Sequence, residues 1–267
     1  MSKNNATSSI IIPARMKSSR FPNKPLCLIK NMSMIERIWR IAKQSKLSKL
    51  TYIATDSIEL KTFCEQFGAE VVLTSASCLT GTDRVAEAAH ILKNDMGIDI
   101  DIIFNLQGDA VLTPPWIIDS ILADMIEHNT PMATPAVLIS KSDFTPFVEA
   151  KKQGSTSGTC VVFDKQNQAL FFSKNIIPSS RTPEVYYPIY RHIGLYAYRQ
   201  DVLSQLVQLP QTPLEKIEHL EQLRALENQI PIKVVVVDYQ NRTHGSVDNP
   251  EDVHKIEKII TEQGELI

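Results

Sequence analysis

The sequence has no apolar run of membrane-spanning length, which excludes a transmembrane helix. Its first residues, MSKNNATSS, lack the apolar centre of a secretory leader, so the chain is expected to stay in the cytoplasm. Cysteine is sparse. Cys27, Cys64, Cys78 and Cys160 stand far apart, with no CxxC pair and no Cys/His cluster. Such spacing offers neither a zinc site nor a disulfide framework and predicts free thiols in a reducing compartment. An excess of one charge is also missing: 28 Lys plus Arg face 30 Asp plus Glu, for a net charge of -2. No bulk basic field therefore advertises nucleic acid or an acidic membrane. Neither an internal repeat nor a low-complexity tract is present.

What is present is 267 residues, 43% of them hydrophobic, enough to bury a substantial core in one large or two small domains. After the polar start, SSIIIPAR reads as a short strand buried on both faces and ending at Pro13. Residues 33–46 place Met34, Ile35, Ile38, Trp39 and Ile41 at helical spacing, with Ser33 as N-cap. TYIATD predicts a second strand, the stretch from Ser57 a helix stopped by Gly68, and AEVVLT a third strand. TDRVAEAAHILKN predicts a helix capped by Thr82, and DIIFNLQGD a fourth strand running into an acidic turn. This alternation is that of a parallel sheet with helical crossovers.

From about residue 131 the rhythm changes. MATPAVLI, GTCVVFD, ALFFSK, HIGLYAYR and IKVVVVDY read as strands with fewer helices between them. PLEKIEHLEQLRALENQ predicts one long helix, on which Glu218 and Glu221 share a face. DNPEDVHKIEKII predicts a closing helix capped by Asp248 or Asn249, with Pro250 in its first turn. KKQGSTSGT, residues 151–159, reads as a loose loop.

Open α/β sheets bind ligands at the carboxyl ends of their strands. The loop after the first strand, PARMKSSRFPNKPL, sets Arg15, Lys17, Arg20 and Lys24 among serines and prolines. It is neither a Walker A loop nor a dinucleotide GxGxxG turn, but its cations suit a triphosphate. Asp109 ends the QGD turn and Asp248 stands in VDNPED. Taken singly, the first also suits a turn and the second a cap.

These segments resemble a known family. PARxxSxRxPxKPL, ATD at 54–56, GTDR at 81–84, NLQGD at 105–109, FFSK at 171–174, RHIGLYAYR at 191–199, PLEKIEHLEQLR at 213–224 and VDNPEDV at 247–253 are together similar to the 3-deoxy-manno-octulosonate (Kdo) cytidylyltransferases, or CMP-Kdo synthetases. The resemblance implies an α/β, Rossmann-like nucleotidyltransferase fold with a mixed, mainly parallel sheet and a smaller dimerisation region. It implies a flexible stretch at 1–9 and one domain over 10–267. The nucleotide-binding half would span about 10–130, and the sugar-binding and dimerisation half about 131–267. The implied reaction joins CTP to an acidic sugar and releases pyrophosphate, for a bacterial surface glycan such as lipopolysaccharide or capsule. Arg15 and Lys24 would be catalytic, with Arg20 assisting at the triphosphate. Asp109 and Asp248 would hold Mg²⁺. Ala14, Thr80, Gly81, Thr82, Arg84 and Gln107 would complete the nucleotide site, and Lys174, His192, Tyr196, Glu221 and Gln222 the sugar site. A homodimer is implied too.

Three positions depart from the family pattern: Ala110 replaces the acidic residue of QGDE, GSTSGTCVV replaces a lysine-bearing segment, and Lys174 replaces an arginine. All three are expected to fall on the sugar side. A lysine cannot repeat an arginine's two-point grip on a carboxylate. Two alternatives follow: a cytidylyltransferase for another acid, such as a modified ulosonic acid or a phosphonate, or a non-catalytic nucleotide-binding module.

Overall fold

The structure, a computed structural model, describes residues 6–17, 21–182 and 185–267. Strand β1 (Ser8–Pro13) is buried at every position, as a strand flanked on both edges must be. It begins inside the stretch expected to be flexible. Ser8 and Ser9 are fully buried, and Ser8 Oγ donates to the Leu47 carbonyl at 2.5 Å. A 3-10 turn at Lys24–Leu26 leads to a small hairpin, β2 (Leu28–Ile29) and β3 (Met32–Ser33). Lys30 and Asn31 form its turn at positive φ, 47° and 64°, which matches hairpin twist. Ser33 caps α1 (Met34–Lys43), accepting from the Glu36 N–H.

Next come β4 (Leu50–Thr55), α2 (Ile58–Glu65), β5 (Glu70–Leu73), α3 (Gly81–Asn94) and β6 (Ile102–Asn105), in the expected alternation. The strands lie in the order β5, β4, β1, β6, all parallel. A further helix, α4 (Pro115–His128), was not read from the sequence; it buries Ile117, Ile118, Ile121, Leu122 and Met125.

Beyond it, β7 (Met132–Leu138) is followed by α5 (Lys141–Lys152), so the first two residues of the expected loose loop are helical. The rest comprises β8 (Cys160–Phe163), β9 (Ala169–Ser173), β10 (Tyr190–His192), β11 (Tyr196–Arg199), α6 (Gln200–Leu206), α7 (Pro213–Glu218), α8 (Gln222–Glu227), β12 (Ile232–Val236) and α9 (Asp252–Gln263). Here the pairs β6–β11, β11–β7, β7–β10, β10–β8 and β8–β9 are antiparallel, while β12 runs parallel to β7. One mixed ten-stranded sheet thus runs through both halves of the chain. One face carries α1, α2, α4 and α9, and the other α3, α6 and α8. A smaller cluster packs Phe144 and Val148 of α5 against Ile139, Cys160 and Ile189.

Two further elements depart from the sequence expectation. HIGLYAYR is not one strand, since Ile193–Leu195 separates β10, which pairs with β8, from β11, which pairs with β6. The buried Thr134 holds the break: its hydroxyl donates to the Leu195 carbonyl at 2.7 Å. The long helix at 213–229 is likewise split, because His219 takes a left-handed conformation (φ 53°) between α7 and α8. Glu218 and Glu221 therefore do not share a helical face. Glu218 accepts from Ser173 Oγ and the Lys174 N–H, whereas Glu221 accepts from Thr82 Oγ1.

A buried ion pair clamps the two short helices together. Arg224 donates to both Glu215 carboxylate oxygens, Nε at 2.9 Å and Nη2 at 2.5 Å, with side chains only 8% and 5% exposed. Removing one partner strands the other charge, whereas replacing both need not. Arg224→Met should therefore cost about 3–5 kcal/mol in urea unfolding. Arg224→Met combined with Glu215→Leu should recover most of that loss.

Candidate active site

The loops leaving β1, β5 and β6 meet at the carboxyl ends of the parallel strands. The Ala14 N–H still donates to the Ala54 carbonyl at 2.9 Å, so the backbone beyond Pro13 stays fixed to β4. Gly108 lies against that segment, and a Cβ built there would stand 2.5 Å from the Pro13 carbonyl oxygen. Gly81 opens α3 beside both, its Cβ position 3.2 Å from Gln107 Oε1 and 3.4 Å from Pro13 Cγ. Close backbone approach is a use for glycine that no other residue fills.

The three loops wall a cleft of about 210 Å³. Ala14, Arg15 and Lys24 line it from the first loop, Thr80, Gly81 and Arg84 from the second, and Gln107 and Asp109 from the third, with Asp248 also on the wall. Arg20 lies outside the described residues. Lys24 Nζ pairs with Asp109 Oδ2 at 2.9 Å. Asp248 is delivered by the backbone: the Val247 N–H donates to the Asp109 carbonyl at 3.2 Å. Neither it nor Asn249 caps α9, which starts at Asp252 after Pro250 with Glu251 in the N-cap position; instead Asp252 Oδ2 accepts from the N–H groups of Asp248 and Asn249 at 3.1 and 3.0 Å. Those bonds, that of Asn249 foremost, hold the Asp252 carboxyl below its usual range.

The start of α3 is also corrected. Thr80, not Thr82, is the N-cap, sharing a capping box with Asp83. Thr82 is turned instead to Glu221, its Oγ1 donating to Oε1 at 2.5 Å. Arg84 is buried, with Nη1 2.6 Å from Thr74 Oγ1 and Nη2 3.5 Å from Asp56 Oδ1. Asp56, of the ATD motif, therefore braces a residue of the cleft wall.

A second cavity, of about 310 Å³, opens at the break between β10 and β11. His192, Tyr196 and Gln222 line it, with Ser157, Gly158 and Thr159 from the variant loop. Thr134 Oγ1 spends its one proton on Leu195, so at 2.8 Å it accepts from His192 Nε2. Phe172 and Tyr196 flank the His192 ring at 4.9 and 5.5 Å. Glu221 stands at the N-cap of α8 beside Gln222. Burial raises its pKa, opposed by the Thr82 hydrogen bond and the Arg224 charge.

Lys174 does not line this cavity. Its N–H donates to Glu218 Oε2 at 3.0 Å, and its carbonyl accepts from Lys151 Nζ. Ala110 does not line this cavity either: it packs into the core directly after Asp109, its N–H donating to the Gln107 carbonyl at 3.1 Å. Two cavity residues escaped the sequence reading, Arg191 and His244. The signals were adjacency to His192 and a place four residues before Asp248.

Residues 9–234 match the Cytidylyltransferase family. The chain belongs to that family. It is 45% identical over 258 residues to the 3-deoxy-manno-octulosonate cytidylyltransferase of Maricaulis maris (strain MCS10), covering 96% of this chain and 98% of that one. It is 38% identical to the 8-amino-3,8-dideoxy-manno-octulosonate cytidylyltransferase of Shewanella pealeana (strain ATCC 700345 / ANG-SQ1), covering 95% and 98%. Its structure is similar to that of CMP:2-keto-3-deoxy-manno-octonic acid synthetase complexed with CTP. That similarity has a TM-score of 0.84 and 32% identity, covering 97% of this chain and 100% of that one. The expected Rossmann-like nucleotidyltransferase fold is thereby established.

Two predictions follow for this cytidylyltransferase. Gly108→Ala forces a Cβ onto the Pro13 carbonyl and should cost about 1–3 kcal/mol, read as a lowered thermal midpoint. The second concerns pH. Burial pushes the pKa of His192 down to about 3, with His244 adding to the effect. Burial, and then the Arg191 charge, push His244 down to about 4. The folded protein therefore refuses protons that the unfolded chain takes up near 6.5. The stability these groups contribute is complete above that value and declines as pH falls through it towards 4 and 3. Urea midpoints of the double variant His192→Gln/His244→Gln should fall less steeply with acidification than those of the parent.

Proposed function

We propose that the protein transfers a cytidylyl group from CTP to the anomeric hydroxyl of Kdo or a close analogue, releasing pyrophosphate. The observation that carries this reading is the meeting of Arg15, Lys24, Asp109 and Asp248 on one cleft. Transfer of this type asks the protein for positioning and charge neutralisation rather than a covalent nucleophile. Arg15 and Lys24 hold the triphosphate and steady the charge that grows on the departing pyrophosphate. The Thr80–Gly81 turn and Gln107 receive the base and ribose. Arg84, tied to Asp56 and Thr74, keeps that wall in place.

The donor set fits Mg²⁺, which binds one or two carboxylates and completes its shell with phosphate oxygens and water. Asp109 and Asp248 share one wall, and among the described residues no group of three or more acidic, His or Cys side chains forms an all-protein cage. When bound there, Mg²⁺ would supply charge neutralisation at the phosphate oxygens. His192, Tyr196 and Gln222 would receive the sugar.

The homodimer that the resemblance implied is part of the same proposal. Among the described residues no helix is long and apolar enough to cross a membrane, which suits supply of an activated sugar to surface-glycan synthesis from the cytoplasm. One sheet through both halves supports a single working domain.

The test is pyrophosphate release from CTP and Mg²⁺ with Kdo, 8-amino-Kdo, a neuraminic acid and a small phosphonate offered separately. Release is expected with Kdo or its 8-amino analogue. Release with the phosphonate alone would move the protein to another acceptor class, and none at all, despite CTP binding, would leave a non-catalytic module. Asp109→Asn and Asp248→Asn should each lower turnover by about two orders of magnitude or more. Full activity in either variant would remove that residue from the mechanism.

A further inference from the structure

The second cavity holds an arrangement that the expected sugar residues do not account for. Among the described residues that line it there is no acidic side chain, and one carries a permanent charge, Arg191. Arg191 Nε is buried without a hydrogen-bond partner, as is Gln222 Nε2 from the start of α8. A buried donor left unpaired costs free energy, more so when it is charged. Two such donors on one cavity describe a site built for an acceptor-bearing ligand. Tyr239 Oη, on the ring that meets His244 edge to face at 5.6 Å, is a third buried polar atom without a partner.

We infer that Arg191 grips the carboxylate of the acid acceptor, in the place that Lys174 does not fill. The inference rests on the cytidylyltransferase reading above and names the residue that selects an acid. Lys174 is outside the cavity, its backbone engaged by Glu218 and Lys151. A guanidinium offers the two parallel donors that a carboxylate accepts, and an ammonium does not. His244, kept uncharged by burial and by the nearby Arg191 charge, adds a hydrogen-bonding ring rather than a second cation.

Position supports the same assignment. In a 2-keto sugar acid the anomeric carbon itself bears the carboxylate, so the group that holds it must lie on the nucleotide side. His244 stands four residues before Asp248 in the chain, so their Cα atoms cannot be more than about 14 Å apart. Gln222 follows Glu221, which is bonded to Thr82 at the start of α3. Both flanks of the Arg191 end are therefore tied to the nucleotide cleft.

The experiment measures steady-state pyrophosphate release for the parent, Arg191→Gln, Arg191→Lys and Lys174→Ala, varying acceptor and CTP in turn. Arg191→Gln should raise the KM for Kdo about tenfold or more, as loss of a charge-assisted hydrogen bond implies, with the KM for CTP unchanged. Arg191→Lys should fall between, and Lys174→Ala should stay within about twofold of the parent. The thermal midpoint of Arg191→Gln should be no lower than the parent's, because Nε has no hydrogen-bond partner to lose, and Kdo alone should raise the midpoint of the parent more than that of Arg191→Gln. An unchanged acceptor KM in Arg191→Gln, or an equal rise in Lys174→Ala, would overturn the assignment while leaving the cytidylyltransferase reading intact. Failure of the parent to use any acid acceptor would overturn that reading, and this inference with it.

Discussion

The turn after β6 rests on the end of β1 so closely that the Pro13 carbonyl occupies the space a side chain at 108 would need. The geometry of the first cleft depends on that contact. Because Gly108 has no side chain, Gln107 and Asp109 on either side of it reach the cleft wall. Because the Asp109 carbonyl stays where the turn puts it, the Val247 N–H finds an acceptor and Asp248 arrives beside Asp109. Two carboxylates more than a hundred residues apart in sequence thus share one wall through a backbone hydrogen bond rather than through any attraction between them. The Lys24 ammonium pairs with Asp109.

A second connection joins the cleft to the cavity beyond it. Thr82, one residue into α3, donates to Glu221 at the start of α8, and Glu221 is placed by the clamp between Arg224 and Glu215 one turn away. Burial alone would drive the Glu221 carboxyl towards its neutral form, while the Thr82 hydroxyl and the Arg224 charge hold it towards ionisation. Helices α3 and α8 are in this way fixed to each other through one carboxylate.

The parallel half was legible because each of its elements carries its own local signal. A β-branched run stopped by Pro13, a serine cap at Ser33 and a glycine stop at Gly68 (φ 84°) are decided within a few residues. The second half was less so, since its breaks are made by distant partners. HIGLYAYR has the composition of one strand; it divides because β8 and β6 compete for its two ends and the Thr134 hydroxyl satisfies the interruption. PLEKIEHLEQLRALENQ has the periodicity of one helix; it divides at His219, a residue with no glycine-like freedom. Site residues followed the same rule. Candidates in strand-end turns come from local spacing together with the family resemblance, whereas Arg191 and His244 become visible only once the sheet break opens a cavity that both line.

Charge explains why such a cavity suits a carboxylic acid. His192 and His244 are pushed down to about 3 and 4, so near neutral pH both are uncharged. Arg191 then supplies the one full charge among the described lining residues. A single carboxylate balances one guanidinium. A doubly charged phosphonate would leave an excess negative charge in a site where water screens it poorly. A neutral sugar would leave the buried guanidinium unpaired. The same arithmetic accounts for the neutral imidazoles, since a second fixed cation would hold the acid tightly in the ground state without helping its anomeric hydroxyl to react.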